Sequence, residues 1–191
     1  SVLRDFLHSK QLLEMPLNEF NAKKFIFLAR KDAIFDKKIY IVGDEIPVTM
    51  IGKSCFSGNQ NITQVNIPDT ITVIGKGAFW GLLNLTQIDL PDSVVEIGEE
   101  AFMHCENLQN VTLSNNLELI DYGAFCHCYA LRTLDIPASV NSIGMYVFQS
   151  CDNLEIMNIY SEHIDVKYSS SYFPDQTYAD YCGWFLFCPS T

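Results

Sequence analysis

The chain has 191 residues, 48% of them hydrophobic, and a mean hydropathy of +0.09. This is enough apolar material for one domain with a buried core, and no stretch approaches the roughly 18 consecutive apolar residues of a membrane-spanning helix. The net charge is −11, from 23 acidic and 12 basic residues. That balance disfavours nucleic acid and anionic membrane surfaces as partners, because binding phosphate requires clustered Lys and Arg.

The first 45 residues lack the periodicity of the rest of the chain. Their apolar residues follow a helical spacing until Pro16 interrupts it, and a second helix is predicted over Leu17–Arg30, followed by a hairpin. The alternative is a strand over Lys24–Ala29 that pairs with Lys38–Val42. Residues 1–45 are predicted to form an N-terminal cap, because a repeat array leaves an apolar edge at each end. A separate functional segment is the alternative.

Residues 46–165 repeat a pattern every 23 residues. The register is marked by five phenylalanines, namely Phe56, Phe79, Phe102, Phe125 and Phe148. Each unit opens with a strand half such as Leu85-x-x-Ile88-x-Leu90, whose last apolar positions alternate with polar ones as in a half-buried strand. Pro or Ser ends the strand half; a second apolar pair, a Gly and an Ala-Phe pair follow. One unit cannot bury these positions alone, so the units are predicted to stack.

The complete motif resembles that of BspA-type leucine-rich repeat proteins. The segment "LTQIDLPDSVVEIGEEAFMHC", from Leu85 to Cys105, matches L-x-x-I-x-I-P-x-x-V-x-x-I-G-x-x-A-F-x-x-C at almost every fixed position. "IPVTMIGKSCFSG", from Ile46 to Gly58, is similar to the opening repeat of such arrays. The resemblance covers residues 38–165 and departs from the pattern at positions such as Asp121, which replaces the Gly.

The resemblance implies an α/β repeat solenoid: a right-handed leucine-rich-repeat superhelix, mainly of short parallel strands with turns, capped at both ends. About five repeats of 23 residues occupy residues 46–165, and one parallel sheet of about five or six strands is expected.

Residues 166–191 are rich in aromatic side chains. They are predicted to form a C-terminal cap over the last repeat, with an aromatic ligand platform as the alternative. Cys182 and Cys188 lie in this segment and could form a disulfide in an oxidising compartment.

Three further cysteines, Cys105, Cys128 and Cys151, are 23 residues apart. A column of this kind is predicted to be reduced, buried and inert, because free Cys behaves as a small hydrophobic side chain. Cys126 is predicted to be the most accessible thiol of the array.

His104 and His127 lie beside this column, one repeat apart, and zinc takes Cys and His ligands. The histidines are expected to face outward and the cysteines inward, so neither a metal site nor another cofactor is predicted. The sequence contains no phosphate-binding loop and no nucleophile motif, and the chain is predicted not to be an enzyme.

The exposed strand positions are the predicted binding site, because repeat proteins bind partners through extended strand surfaces. The predicted residues form two columns: Gln64, Gln87, Asn110, Thr133 and Ile156, and Asn66, Asp89, Thr112, Asp135 and Asn158. The expected function is a non-catalytic interaction or adhesion module that presents a polar concave strand face to a protein or glycan. The alternative is a structural component of a larger assembly that uses lateral or end surfaces. The family resemblance implies a location at the cell surface or outside the cell.

Overall fold

The computed structural model describes residues 34–35, 38–40 and 49–167. The predicted helices before residue 34, most of the aromatic C-terminal cap and the Cys182–Cys188 pair lie outside the described residues. The domain boundaries at residues 45 and 165 therefore stay predictions.

The regular structure of the described residues consists of thirteen short strands. They are β1 (Ile34–Phe35), β2 (Lys38–Tyr40), β3 (Met50–Ile51), β4 (Gln64–Asn66), β5 (Val73–Ile74), β6 (Gln87–Asp89), β7 (Glu96–Ile97), β8 (Asn110–Thr112), β9 (Leu119–Ile120), β10 (Thr133–Ile136), β11 (Ser142–Gly144), β12 (Ile156–Ile159) and β13 (Asp165–Lys167).

The strand halves predicted from the sequence form one row along the array. Their ladders are parallel and keep the 23-residue register: β6 pairs with β8 and β10 with β12, so that Gln87 lies opposite Asn110. At the N-terminal end, β1 and β2 form an antiparallel hairpin, and β2 pairs in parallel with β4. The array is thus a parallel β-solenoid of about five turns.

A second row of strands corrects the prediction of a single sheet. The strands β3, β5, β7, β9, β11 and β13 form a six-stranded parallel sheet. The strands β5, β7 and β9 end at the second residue of the apolar pair of their unit, namely Ile74, Ile97 and Ile120. In β5, Ile74 is buried and Val73 is half-buried, so the two side chains face opposite sides of the sheet. A two-residue strand is too short for its alternation to be recognised in the sequence.

The third side of each turn contains the Ala-Phe pair and is hydrogen-bonded along the array. The amide of Phe79 donates to the carbonyl of Ala101 at 2.8 Å, and the amide of Gly81 donates to that of Met103 at 2.8 Å. Two residues four positions apart have positive φ in each of these turns, as Gly77 (58°) and Gly81 (67°) do. A right-handed helix does not accommodate residues in this conformation. No helix occurs in the described residues, so the α/β label was wrong for this part of the chain.

The core is a set of columns that run the length of the array. The five phenylalanine rings are stacked, with centroid distances of 5.5, 5.2, 5.3 and 6.0 Å between successive repeats. Ile, Leu and Ala columns beside them are also buried. Burial of apolar area on this scale supplies most of the favourable free energy of folding.

Side chains at the corners of the turns satisfy carbonyl groups of the preceding repeat. Asn84 donates from Nδ2 to the carbonyl of Gln60 at 2.7 Å, and Asn107 donates to that of Leu83 at 2.7 Å. The hydroxyl of Ser93 donates to the carbonyl of Ile71 at 2.7 Å. These bonds tie each repeat to its predecessor where the strand ladders are interrupted.

Across residues 49–167 and the two strands before them, no helix is both long enough and apolar enough to cross a membrane.

Candidate functional site

All ten residues predicted for binding are exposed on the row of strand halves, hereafter the strand face. Their apolar neighbours, such as Ile88 and Leu134, point into the core. The parallel register places the residues of β6 beside those of β8, and those of β10 beside those of β12. Gln64 and Asn66 on β4 pair instead with β2. The two columns on the strand face are therefore arranged as the alternation of strand side chains requires.

Hydrogen bonds between side chains orient two carboxylates of the strand face. The Asp89 carboxylate accepts from Gln87 Nε2 and from Thr112 Oγ1, both at 2.7 Å. The Asp135 carboxylate accepts from Asn158 Nδ2 at 2.8 Å. The bonded atoms lie on exposed side chains, so the remaining donors and acceptors still face solvent. This surface offers carboxylates, amides and hydroxyls for hydrogen bonding.

Ile156 is the exception on this face, being apolar and 52% exposed. It lies on β12, where Ile159 is also exposed, as is Tyr160 directly after the strand. The strand face thus changes from polar to partly apolar towards the C-terminal end of the described array.

The column of cysteines faces the core, as predicted. Cys105, Cys128 and Cys151 are buried free thiols. Each donates its S–H to the backbone carbonyl of a phenylalanine in the preceding repeat: Phe79 at 3.2 Å, Phe102 at 3.3 Å and Phe125 at 3.2 Å. The thiols therefore act as small hydrophobic groups that also satisfy a buried carbonyl.

Burial raises the pKa of these thiols. It raises the pKa of Cys105 to about 12 and that of Cys151 to about 12, and the pKa of Cys128 well above its usual value. The thiolate is the reactive form, and a thiol with such a pKa forms almost none at neutral pH.

The prediction that Cys126 is the most accessible thiol of the array was wrong. Cys126 is 3% exposed, less than Cys55 at 7% and Cys151 at 8%. Its pKa is raised to about 11, first by burial and then by the Glu100 carboxylate. Its position one residue after Phe125 predicts an outward direction, but the side chain lies against Gln149, with Sγ 3.8 Å from Oε1.

These raised pKa values predict that the folded protein loses stability at alkaline pH. The pKa of Cys105 in the folded protein lies above its usual value of 9.0. At high pH the folded protein therefore keeps the proton on this thiol, whereas the unfolded chain releases it. This contribution to stability is complete below pH 9 and is lost as the pH rises towards 12. Between about pH 8 and about pH 10.5, the free energy of unfolding should fall by about 2 kcal/mol less in Cys105→Ala than in the wild type.

Urea unfolding of both proteins at the two pH values measures this difference. Equal losses in the two proteins would show that Cys105 does not carry the raised pKa. Labelling with a water-soluble disulfide reagent provides a second check, because the native thiol at pKa 12 should react about a thousand-fold more slowly than a thiol at 9.0.

The two histidines face outward, as predicted, and are half-buried. Their rings are stacked at a centroid distance of 4.4 Å and an interplanar angle of 9°. Both residues have positive φ, 60° at His104 and 61° at His127, at the position where Gly81 stands one repeat earlier. Among the described residues, no group of three or more His, Cys, Asp or Glu side chains is arranged to hold a metal ion.

Burial lowers the pKa of His127, and the neighbouring His104 lowers it further. The carboxylates of Asp152 and Glu106 act in the opposite direction and raise it. The sequence indicated that the histidines would be near each other; the Trp80 and Tyr129 rings that extend this contact were not predicted, because they occupy different positions in the repeat.

Comparison with known protein families gave a match to the BspA type leucine rich repeat region, in six copies over residues 32–174. No curated protein matches the chain significantly.

Solved structures of bacterial leucine-rich repeat proteins are similar to this fold. One from Bacteroides ovatus is 34% identical to this chain, with a TM-score of 0.56. The match covers 61% of this chain and 30% of the length of the Bacteroides protein. The pneumococcal vaccine antigen PcpA is 28% identical with a TM-score of 0.50, covering 64% of this chain and 28% of its own. The T. pallidum leucine-rich repeat protein, at 24% identity and a TM-score of 0.55, covers 68% of this chain and 71% of its own. The chain therefore spans less than a third of the length of the first and second of these proteins.

Proposed function

Because this chain belongs to the BspA-type leucine-rich repeat proteins, we propose that it is a non-catalytic interaction or adhesion module whose strand face binds a protein or glycan partner. The observation that carries the proposal is the exposure of ten regularly spaced strand residues, nine of them polar. Repeat proteins bind partners through such extended surfaces.

The chemistry of the strand face supports a polar ligand. Asp89 and Asp135 present carboxylates held by neighbouring side chains, and amides and hydroxyls surround them. A pre-oriented side chain loses less conformational entropy on binding than a mobile one. A glycan or a polar protein surface matches these groups, whereas an apolar ligand would leave them without partners.

The same surface lacks the elements of covalent catalysis. A nucleophile requires an adjacent base and a third group that orients it. The described thiols of the array are buried with raised pKa values, and the oriented carboxylates of the strand face lie on a sheet surface with amide and hydroxyl neighbours. Binding rather than reaction is the function that this surface supports.

We also propose a location at the cell surface or outside the cell. The family and the similarity to a structure described as a pneumococcal vaccine antigen support this location.

The test of the proposal replaces Asp89, Thr112 and Asp135 with Ala. A matched control replaces Asp69, Glu118 and Asn141, which are exposed elsewhere on the array and include the same number of carboxylates. Removing oriented polar contacts at a ligand interface should weaken binding by at least about ten-fold, or about 1.4 kcal/mol. The thermal midpoint should fall by only a few degrees, because exposed substitutions change stability by about 0.5 kcal/mol each.

Partners captured from surface extracts of the source organism provide the binding readout. Loss of capture by the strand-face variant, with retention by the control variant, supports the module. The alternative function, a structural component of a larger assembly, predicts normal capture by the strand-face variant and loss of assembly in variants of lateral or end surfaces. Equal capture by all three proteins contradicts the proposed role of the strand face.

A further inference from the structure

Four aromatic rings form a continuous surface strip on a different part of each repeat from the strand face. The Trp80 ring meets the His104 ring edge to face at 5.5 Å, and His104 stacks on His127 at 4.4 Å. The His127 ring meets Tyr129 at 5.6 Å, and the Tyr129 hydroxyl lies 3.0 Å from His127 Nδ1. We call Trp80, His104, His127 and Tyr129 the aromatic strip. Trp80 is 39% exposed, so its ring reaches the protein surface.

Two carboxylates lie beside the aromatic strip. Glu106 Oε1 is 3.8 Å from His104 Nδ1. Burial raises the pKa of the Tyr129 hydroxyl, and the carboxylates of Glu106 and Asp152 raise it further. Both carboxylates therefore act on the Tyr129 end of the strip. Asp152 is exposed and Glu106 is half-buried. Aromatic rings and carboxylates are thus combined on one surface.

We propose that the aromatic strip, with Glu106 and Asp152, is a binding site for arginine side chains of a partner protein. A guanidinium group is planar and weakly hydrated, so it stacks on aromatic rings and pairs with carboxylates at the same time. A Lys ammonium group would gain the charge attraction but less of the stacking. Charge identifies the occupant: a partner that carries arginines is attracted by a chain of net charge −11, whereas a second copy of this chain is repelled.

His127 makes this site sensitive to pH. At neutral pH His127 is uncharged, because burial and His104 lower its pKa from the ordinary value of 6.5. Acidification protonates His127 and places a positive charge beside Tyr129, where Glu106 and Asp152, whose carboxylates act on this imidazole, would then pair with it. The same carboxylates would no longer be available to a guanidinium group. Arginine binding should therefore weaken as the pH falls.

The test uses a fluorescein-labelled peptide of alternating Gly and Arg residues, with the Gly-Lys peptide as a comparison, and measures fluorescence anisotropy at about 0.15 M salt. The variants are Trp80→Ala and the double variant Glu106→Gln with Asp152→Asn. The matched control is Asp69→Asn with Glu118→Gln, which removes two carboxylates from exposed positions outside the aromatic strip.

Each site variant should lower the affinity for the arginine peptide by about five-fold or more, since a cation–π contact or charge pair contributes about 1 kcal/mol. The control should change it by less than about two-fold. The wild type should bind the lysine peptide several-fold more weakly, and the arginine peptide more weakly at about pH 5.5 than at about pH 7.5.

Equal losses in the site and control double variants would overturn the proposal, because they would show attraction to the net charge alone. An affinity unaffected by Trp80→Ala, or the absence of binding, would also overturn it. The strand-face variant should retain peptide binding, so failure of this proposal and failure of the proposed function are distinguishable.

Discussion

Phe102→Ala should lower the free energy of unfolding by about 3–5 kcal/mol. Phe102 is fully buried in the middle of the phenylalanine stack, with ring centroids 5.2 Å from Phe79 and 5.3 Å from Phe125. Truncation removes buried apolar area, opens a cavity and ends two ring contacts. Phe102→Leu keeps most of the volume and should cost about 1 kcal/mol, largely the lost stacking.

Urea or thermal unfolding measures these changes, and Thr86→Ala is the control. Thr86 lies in the same unit as Phe102 but is exposed, so its truncation should change stability by about 0.5 kcal/mol or less. An unfolding midpoint for Phe102→Ala equal to that of the wild type would show that the stack does not hold neighbouring repeats together.

Gly75→Ala is expected to be the other strongly destabilising change. A Cβ at Gly75 would lie 2.6 Å from the carbonyl oxygen of Ile51 and 3.1 Å from the carbonyl carbon of Gly52. Both are backbone atoms of the preceding repeat, so relief requires the two turns to move apart. Gly75 also donates its amide to the Ile51 carbonyl at 2.8 Å, a bond that this movement would lengthen. The expected cost is about 1–3 kcal/mol.

Gly52→Ala is the control from the same column of the repeat. No described atom lies within 4 Å of a Cβ built at Gly52. Alanine there should be neutral or should stabilise by up to about 1 kcal/mol, because it restricts the unfolded chain. Equal effects of the two substitutions in thermal unfolding would contradict the close contact between turns.

Asp121 shows how a residue with a side chain is accommodated at the position that glycine occupies in earlier repeats. It stands where Gly75 and Gly98 stand in earlier repeats, and it keeps the amide bond to the preceding repeat, at 2.8 Å from Ile97 O. Its carboxylate gains a bond of its own, accepting from the amide of Tyr122 at 2.7 Å. An alanine gains no such bond.

Much of the repeat architecture follows from the 23-residue period. Residues in equivalent positions must stack, so the Phe ring contacts, the inward cysteines and the parallel register of β6 with β8 could all be predicted. The outward direction of the ten strand-face residues follows from alternation alone. The arrangement of Asp89 with Thr112 does not, because it depends on side-chain rotamers that sequence spacing leaves undetermined.

The unpredicted features arise where local geometry departs from a simple period. The second sheet is built from pairs such as Val73 and Ile74, which contain no full alternation. Cys126 was assigned by sequence position, whereas its burial depends on packing against Gln149. The aromatic strip joins different repeat positions, such as Trp80 and His104, so aligning the repeats does not bring its members into one column. The right-handed superhelix and the two caps stay predictions.

Hydrogen–deuterium exchange in the presence of a captured partner tests the role of the strand face most directly. Binding at the strand face predicts slower exchange in β6, β8 and β10, with unchanged exchange in β7 and β9. These strands belong to the same turns of the solenoid, so the second sheet serves as an internal control. Slower exchange confined to β7 and β9, or to the segments that carry the aromatic strip, would contradict binding through the strand face.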